Sequence, residues 1–212
     1  MSLTGSQLTA AIRRQWRAPS LRGSQRRADE VLLVTDAVIP LTICDLTPED
    51  LPSCAWWVSA RDIAQLGKTL ERAGRGEVDY LAVYPPSGLP VALGGVDYTR
   101  NPGAGTLWQL AVHGALQSCG IGTLLIKAAE QRIRGRGLHR AELGVEECNP
   151  RARALYERLG YLAYGREPDS WDEETPDGSI TRYETVCTLM RKELPQPDAP
   201  PGGEAELLLR RT

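Results

Sequence analysis

Gln117-Ser118-Cys119-Gly120-Ile121-Gly122 is the stretch on which the reading of this 212-residue chain turns. It follows a strand-like run from Thr106 to Val112. It opens a helical run over about 120–134, in which Ile121, Leu124, Leu125, Ala128 and Ile133 share one stripe and which Gly135 and Gly137 stop. A strand feeding a glycine-bearing loop that starts a helix makes an anion site. Small residues let backbone N–H groups come close to a phosphate, and the helix N-terminus adds positive potential. Taken alone the loop is equally well a plain tight turn. The dinucleotide fingerprint G-x-G-x-x-G fits poorly, because Leu125 stands where the third small residue belongs. The Walker lysine is also missing, which argues against an NTPase.

The second informative stretch is Asn149-Pro150-Arg151-Ala152-Arg153-Ala154-Leu155-Tyr156-Glu157-Arg158-Leu159-Gly160-Tyr161. Asn149 reads as a helix N-cap, Pro150 as the first helical residue and Gly160 as the residue that turns the chain out. Ala152, Leu155, Tyr156 and Leu159 form the buried stripe. On this evidence alone Tyr156 is a core aromatic with a satisfied hydroxyl.

Together, and in this order, the two stretches resemble the acetyl-CoA-binding motifs of the GCN5-related N-acetyltransferase (GNAT) superfamily: strand, Q/R-x-x-G-x-G/A loop, helix, strand, N-x-x-A-x-x-L-Y-x-x-x-G-F/Y. The resemblance runs from about Pro40 to Leu194 in order of elements and is specific over 107–161. It implies an α/β (α+β) fold, a mixed central sheet of about six to seven strands flanked by helices. Two splayed parallel strands would form the acyl-CoA cleft. It further implies that backbone amides around Cys119, Gly120, Ile121, Gly122 and Thr123, with Gln117 and Ser118 leading in, hold the pyrophosphate of coenzyme A. Leu110, Ala111 and Val112 would pair with the pantetheine arm like an added strand, the Val112 amide also polarising the thioester carbonyl. Asn149 and Ala152 would contact the cofactor from the other side, and Tyr156 would protonate the departing thiolate. Gly114 departs from the pattern, which usually has proline there.

The implied reaction is direct attack of an amine, of a small molecule or a protein, on acetyl-CoA, with no metal. The amine must lose a proton first. Some members carry a glutamate near the start of the strand before the loop, but here the run is Thr106-Leu107-Trp108-Gln109, without a carboxylate. Asp97 is the first choice for a base, with Glu146, Glu147 and His113 as alternatives. A non-catalytic acyl-CoA-binding sensor is the alternative function that the missing carboxylate motivates. For the acceptor, an acidic loop between Gly165 and Tyr183 offers Trp171 and Asp172, and Trp57 either lines the pocket or fills core. Acid plus aromatic suits a cationic amine, and a solvated acidic loop is the plainer alternative.

Outside these motifs the chain divides into an Arg-rich extension (1–30), the domain (31–194) and a Pro-rich tail (195–212). Strands are expected at 31–34, 38–44, 80–84, 91–98, 141–145, 161–165 and 183–191, and helices at about 48–58, 60–73 and 150–159. Apolar residues are 42% and charged residues 25%, an ordinary globular composition. The net charge of −2 disfavours wholesale nucleic-acid binding. No apolar run is long enough to span a membrane and no secretory signal is recognisable. Five scattered cysteines without a CxxC pair suit free thiols in a reducing, cytoplasmic compartment. Arginine-rich, Phe-free composition suits a GC-rich bacterial genome, and a homodimer is left open.

Overall fold

The computed structural model describes residues 38–56, 60–174 and 179–195. The extension at 1–30, the strand expected at 31–34, Trp57 and the tail beyond 195 lie outside the described residues. Among the described residues, seven strands and three α-helices follow one another: β1 (Thr42–Asp45), α1 (Ala60–Gly74), β2 (Val78–Tyr84), β3 (Ala92–Asp97), β4 (Gly105–Val112), α2 (Ile121–Gly135), β5 (Arg140–Glu146), α3 (Pro150–Arg158), β6 (Leu162–Glu174) and β7 (Ile180–Glu193). They form one sheet in the order β1-β2-β3-β4-β5-β7-β6. All neighbours are antiparallel except β4 and β5. The first helix expected, over 48–58, is instead a 3-10 turn at Pro48–Cys54. Its start is well specified, since the Thr47 N–H and hydroxyl both donate to Asp50 Oδ2, but Pro52 removes an N–H that a continuing α-helix needs.

Alternation along the strands divides the apolar residues between two layers. Leu81, Val83, Leu107, Leu143 and Val145 face α2 and α3 and pack with Leu125, Ile133 and Tyr156. Tyr80, Ala82, Leu93 and Ala111 face the other way, with Leu66 of α1 and Leu46. On α2 the buried stripe is Ile121, Leu125, Ile126, Ala129 and Ile133. Leu124, assigned to that stripe from the sequence, is 43% exposed, because a four-residue repeat from Ile121 keeps one side of the helix on the sheet.

The acidic segment expected to be a loop is a β-ribbon. β6 pairs with β7 from Leu162–Arg191 out to Glu174–Ile180, well past the end of β5. Pro168 is tolerated because β6 is the edge strand of the sheet.

A buried ion pair ties α2 to β7. Glu130 on α2, 3% exposed, receives both carboxylate bonds from Lys192 Nζ (2.8 and 2.9 Å) and one from the Tyr161 hydroxyl (3.1 Å). Removing one partner of such a pair strands the other charge. Lys192→Met should therefore cost about 3 kcal/mol in urea unfolding, and a loss under about 1 kcal/mol would show that water already reaches Glu130.

Candidate active site

The site is built where β4 and β5 part. Their parallel pairing covers Gly105–Leu107 against Ala141–Leu143 and ends there. Beyond it each strand stays anchored only on its outer side: Ala111 and Val112 to β3, and Gly144 to Glu146 to β7. The two inner edges enclose a cleft of about 530 Å³. A bulge drives the parting. Gln109 and Leu110 together oppose the single residue Gly94, and Gln109 takes a left-handed conformation with φ 54°. For a residue with a side chain this costs about 1–2 kcal/mol, offset by the buried bond that Gln109 Oε1 accepts from the Tyr80 hydroxyl (2.9 Å). Gly94 and Gly95 make the room. A Cβ at Gly94 would run into the Leu110 side chain, and one at Gly95 into the Trp108 ring.

The bulge and its register decide where the strand's polar groups point. His113 N–H donates to Val91 O (2.8 Å). By antiparallel alternation the neighbouring residue, Val112, turns its N–H and C=O away from β3, towards the cleft. Gln117 Nε2 donates to that Val112 carbonyl (3.3 Å).

At the head of the cleft stands the start of α2. Gly120 is its N-cap, left-handed at φ 82°, and no side chain caps the helix. Ser118 is also left-handed, at φ 67°. Gly120, Gly122 and Thr123 line the cleft, while the Ile121 side chain is buried in the core and Cys119 is exposed away from it. A Cβ on Gly122 would sit 3.6 Å from Leu155 and 3.7 Å from Val112, so glycine there keeps the mouth between β4 and α3 clear. Arg151, which sequence reasoning passed over although it lies inside the second motif, reaches across from α3. Its guanidinium donates to Gln117 Oε1 (3.2 Å) and to the Ser118 hydroxyl.

The opposite wall carries Asn149, Ala152 and Tyr156. Asn149 Oδ1 caps α3 by accepting from Ala152 N–H (3.0 Å), which leaves its NH₂ group for a ligand. Tyr156 packs edge-on against Tyr161, with centroids 6.0 Å apart, and burial pushes its pKa up to about 12. At neutral pH it keeps its proton.

Of the candidate bases, only Glu146 lines the cleft. Asp97 does not. Its carboxylate accepts from Arg72 (2.9 Å) and from Thr99 N–H and hydroxyl (both 2.8 Å). Burial alone would raise its pKa, but those partners outweigh burial and hold it below the usual carboxylate value. Glu147 pairs with Arg166. The His113 ring accepts from Ala115 N–H and lies against Trp56. Glu146 sits on β5 and accepts from the Tyr183 hydroxyl (3.0 Å). The acceptor candidates also move. Trp171 is fully buried against Tyr183, 4.7 Å between centroids, and Asp172, on the other side of the strand, pairs with Arg182 (3.3 Å). Neither lines the cleft; Asp169 and Glu167 do. Among the described residues no group of three or more His, Cys, Asp or Glu is placed to hold a metal, and no helix is long and apolar enough to cross a membrane.

This arrangement, two parallel strands parting in front of an uncapped helix mouth with a tyrosine on the far wall, agrees with comparison to known families. Residues 57–161 match the family described as Acetyltransferase (GNAT) family. Residues 57–161 are a GNAT-family domain. Solved structures similar to this GNAT-domain chain include the ribosomal-protein-S18-alanine N-acetyltransferase from Escherichia coli, at 22% identity over 78% of this chain and 99% of that one, with a TM-score of 0.54. Ribosomal-protein-alanine N-acetyltransferase from Brucella melitensis is similar at 20% identity over 72% and 99%, with a TM-score of 0.56. So is PaiA N-acetyltransferase from Thermoplasma acidophilum in complex with coenzyme A, at 16% over 73% and 99%, with a TM-score of 0.52. These likenesses establish the fold. No curated protein matches the sequence significantly.

Proposed function

We propose that this GNAT-domain chain is an N-acetyltransferase that moves the acetyl group of acetyl-CoA to a primary amine by direct attack. One observation carries the reading: the parallel ladder stops at Leu107 and Leu143, opening two unpaired strand edges between the bare start of α2 and Tyr156. The residues fit the cosubstrate. The amides at Gly120, Gly122 and Thr123 can converge on a diphosphate, and the Arg151 guanidinium adds positive charge beside them. The free edge at Leu110, Ala111 and Val112 can pair with an extended pantetheine arm, and Asn149 meets it from α3.

Acetyl-CoA, when bound, supplies an activated thioester carbonyl. The Val112 N–H, already turned into the cleft, stabilises the charge that develops on the carbonyl oxygen, a contribution of about 3 kcal/mol for donors of this kind. Glu146 takes the proton from the incoming ammonium. Only about 1 in 10³ molecules of an amine with pKa near 10 is neutral at pH 7, so a poised acceptor matters. A C–N bond forms, the C–S bond breaks, Tyr156 gives its proton to the sulfur, and the second proton lost by the nitrogen restores the phenol. With Glu146 on the cleft wall, the sensor reading loses the missing carboxylate that motivated it.

Thiol release from acetyl-CoA over a panel of primary amines tests the proposal. The expected result is turnover with at least one amine. Glu146→Gln should lower kcat by about 10²-fold or more while leaving the KM for acetyl-CoA nearly unchanged. Tight acetyl-CoA binding with no amine turned over would favour the sensor.

A further inference from the structure

The two ends of the cleft carry opposite charge. Arg151 of α3, whose guanidinium donates to Gln117 and Ser118, stands at the helix-mouth end. Across the sheet face formed by β5, β6 and β7 stand four carboxylates: Glu142, Glu146, Glu167 and Asp169. Strand register puts them on one surface. Glu146 is opposite Cys187 on β7, and Cys187 is opposite Glu167 on β6, so Glu146 and Glu167 stand two strand steps apart, about 10 Å between backbones. Asp169 follows Glu167 by one pleat. Burial and then the charges of Asp169, Glu146 and Glu167 push the Cys187 thiol up to about 12, which agrees with three carboxylates converging over that residue.

Glu142 is held by Asn101 Nδ2 (2.6 Å) and Arg140 (3.8 Å), and Glu146 by the Tyr183 hydroxyl, whereas Glu167 and Asp169 have weaker partners. Arg100 approaches Glu167 at 3.8 Å, with both side chains about half exposed, so water screens the contact. Asp169 accepts only the N–H of Ser170 (2.8 Å) among the bonds of the described residues. At the inner end of the same face, Thr106 stands opposite Glu142 in the parallel register. Thr106 is 5% exposed and lines the cleft, and its Oγ1 has no hydrogen-bond partner. A buried hydroxyl left unpaired is unfavourable, and a polar group of a ligand would satisfy it. The face therefore presents buried hydrogen-bonding capacity and uncompensated negative charge to whatever enters.

We infer that the acceptor is an organic amine carrying at least two positive charges, its reacting nitrogen at Glu146 and a second ammonium held by Glu167 and Asp169. The inference rests on the acetyl-transfer reading and names its substrate class. Neutral or anionic amines lack the second contact, and a carboxylate-bearing amine is repelled by it.

The test compares three acceptors of similar length with the full chain and acetyl-CoA: 1,5-diaminopentane, pentylamine and 6-aminohexanoate. The expected kcat/KM for the diamine exceeds that for pentylamine by about tenfold or more, with 6-aminohexanoate the poorest. The advantage should shrink as salt rises from about 0.05 to 0.5 M. Asp169→Asn and Glu167→Gln should each reduce the diamine rate more than the pentylamine rate, while the Kd for acetyl-CoA stays within about twofold, the sign that each variant folds. An N-acetylated Lys-Lys amide run alongside tells whether the two charges come from a free diamine or a peptide, and preference for either supports a dicationic acceptor. Equal rates for diamine and pentylamine, or equal losses for both in the variants, would overturn the inference and leave the transferase standing. A chain that binds no acetyl-CoA would overturn both.

Discussion

Tyr156→Phe should lower kcat by about 10²-fold or more, while the Kd for acetyl-CoA changes less than about twofold. The phenol ring fills space that Phe fills equally well, edge-on to Tyr161, so packing and cosubstrate affinity survive. What disappears is the proton for the leaving sulfur. The pH profile separates this role from a structural one. Burial pushes the Tyr156 pKa up to about 12, so the wild-type donor remains protonated throughout the alkaline range that the assay can reach. Because Glu146 takes the ammonium proton within the bound complex, kcat at saturating amine should then stay level from about pH 7 to pH 9.5, with no descending limb. A fall in rate between about pH 8 and 9.5 would mean that the donor titrates there and is not Tyr156. Equal losses in kcat and in acetyl-CoA affinity for the Phe variant would make Tyr156 a packing residue.

Gly122→Asp should abolish acetyl-CoA binding at ordinary concentrations, a loss of at least about 10²-fold, without unfolding the protein. Gly122 is the second residue of α2, where a carboxylate favours the helix. A Cβ there meets nothing closer than 3.6 Å, so thermal stability should hold or rise slightly. The new negative charge, however, stands where the diphosphate should lie. Like charges about 4 Å apart at an effective dielectric of 20 repel by roughly 4 kcal/mol. Isothermal titration beside a thermal melt reads both quantities. Unchanged affinity in a folded variant would place the cosubstrate somewhere other than the mouth of α2.

Much of this site was legible because its signals are local. Asn149, Pro150 and Gly160 mark the ends of α3 through capping chemistry that depends on a few neighbouring residues; Asn149 does accept from Ala152, and Gly160 does adopt φ 89°. The glycines of the α2 loop are legible for the same reason. What the sequence concealed depends on partners far along the chain. Asp97 looked like a free carboxylate at a strand end, but Arg72, 25 residues away, occupies it. The β4 bulge has no local signature, since it exists through Gly94 opposite and Tyr80 beneath Gln109. The acidic run after Gly165 was read as a loop because charge and Pro168 mask its alternation. Only pairing with β7 shows that Trp171 turns inward while Asp169, two residues earlier, reaches the cleft. Glu146 was one of several carboxylates on paper, and β5 alone brings it to the cleft.

A crystal structure of the protein grown with coenzyme A is the most direct test of the cleft. It should show the diphosphate oxygens within hydrogen-bond reach of the Gly120, Gly122 and Thr123 amides, the pantetheine arm running between β4 and β5, and the sulfur beside the Tyr156 hydroxyl. Coenzyme A bound elsewhere, or a gap between β4 and β5 that stays empty at saturating ligand, would contradict that placement.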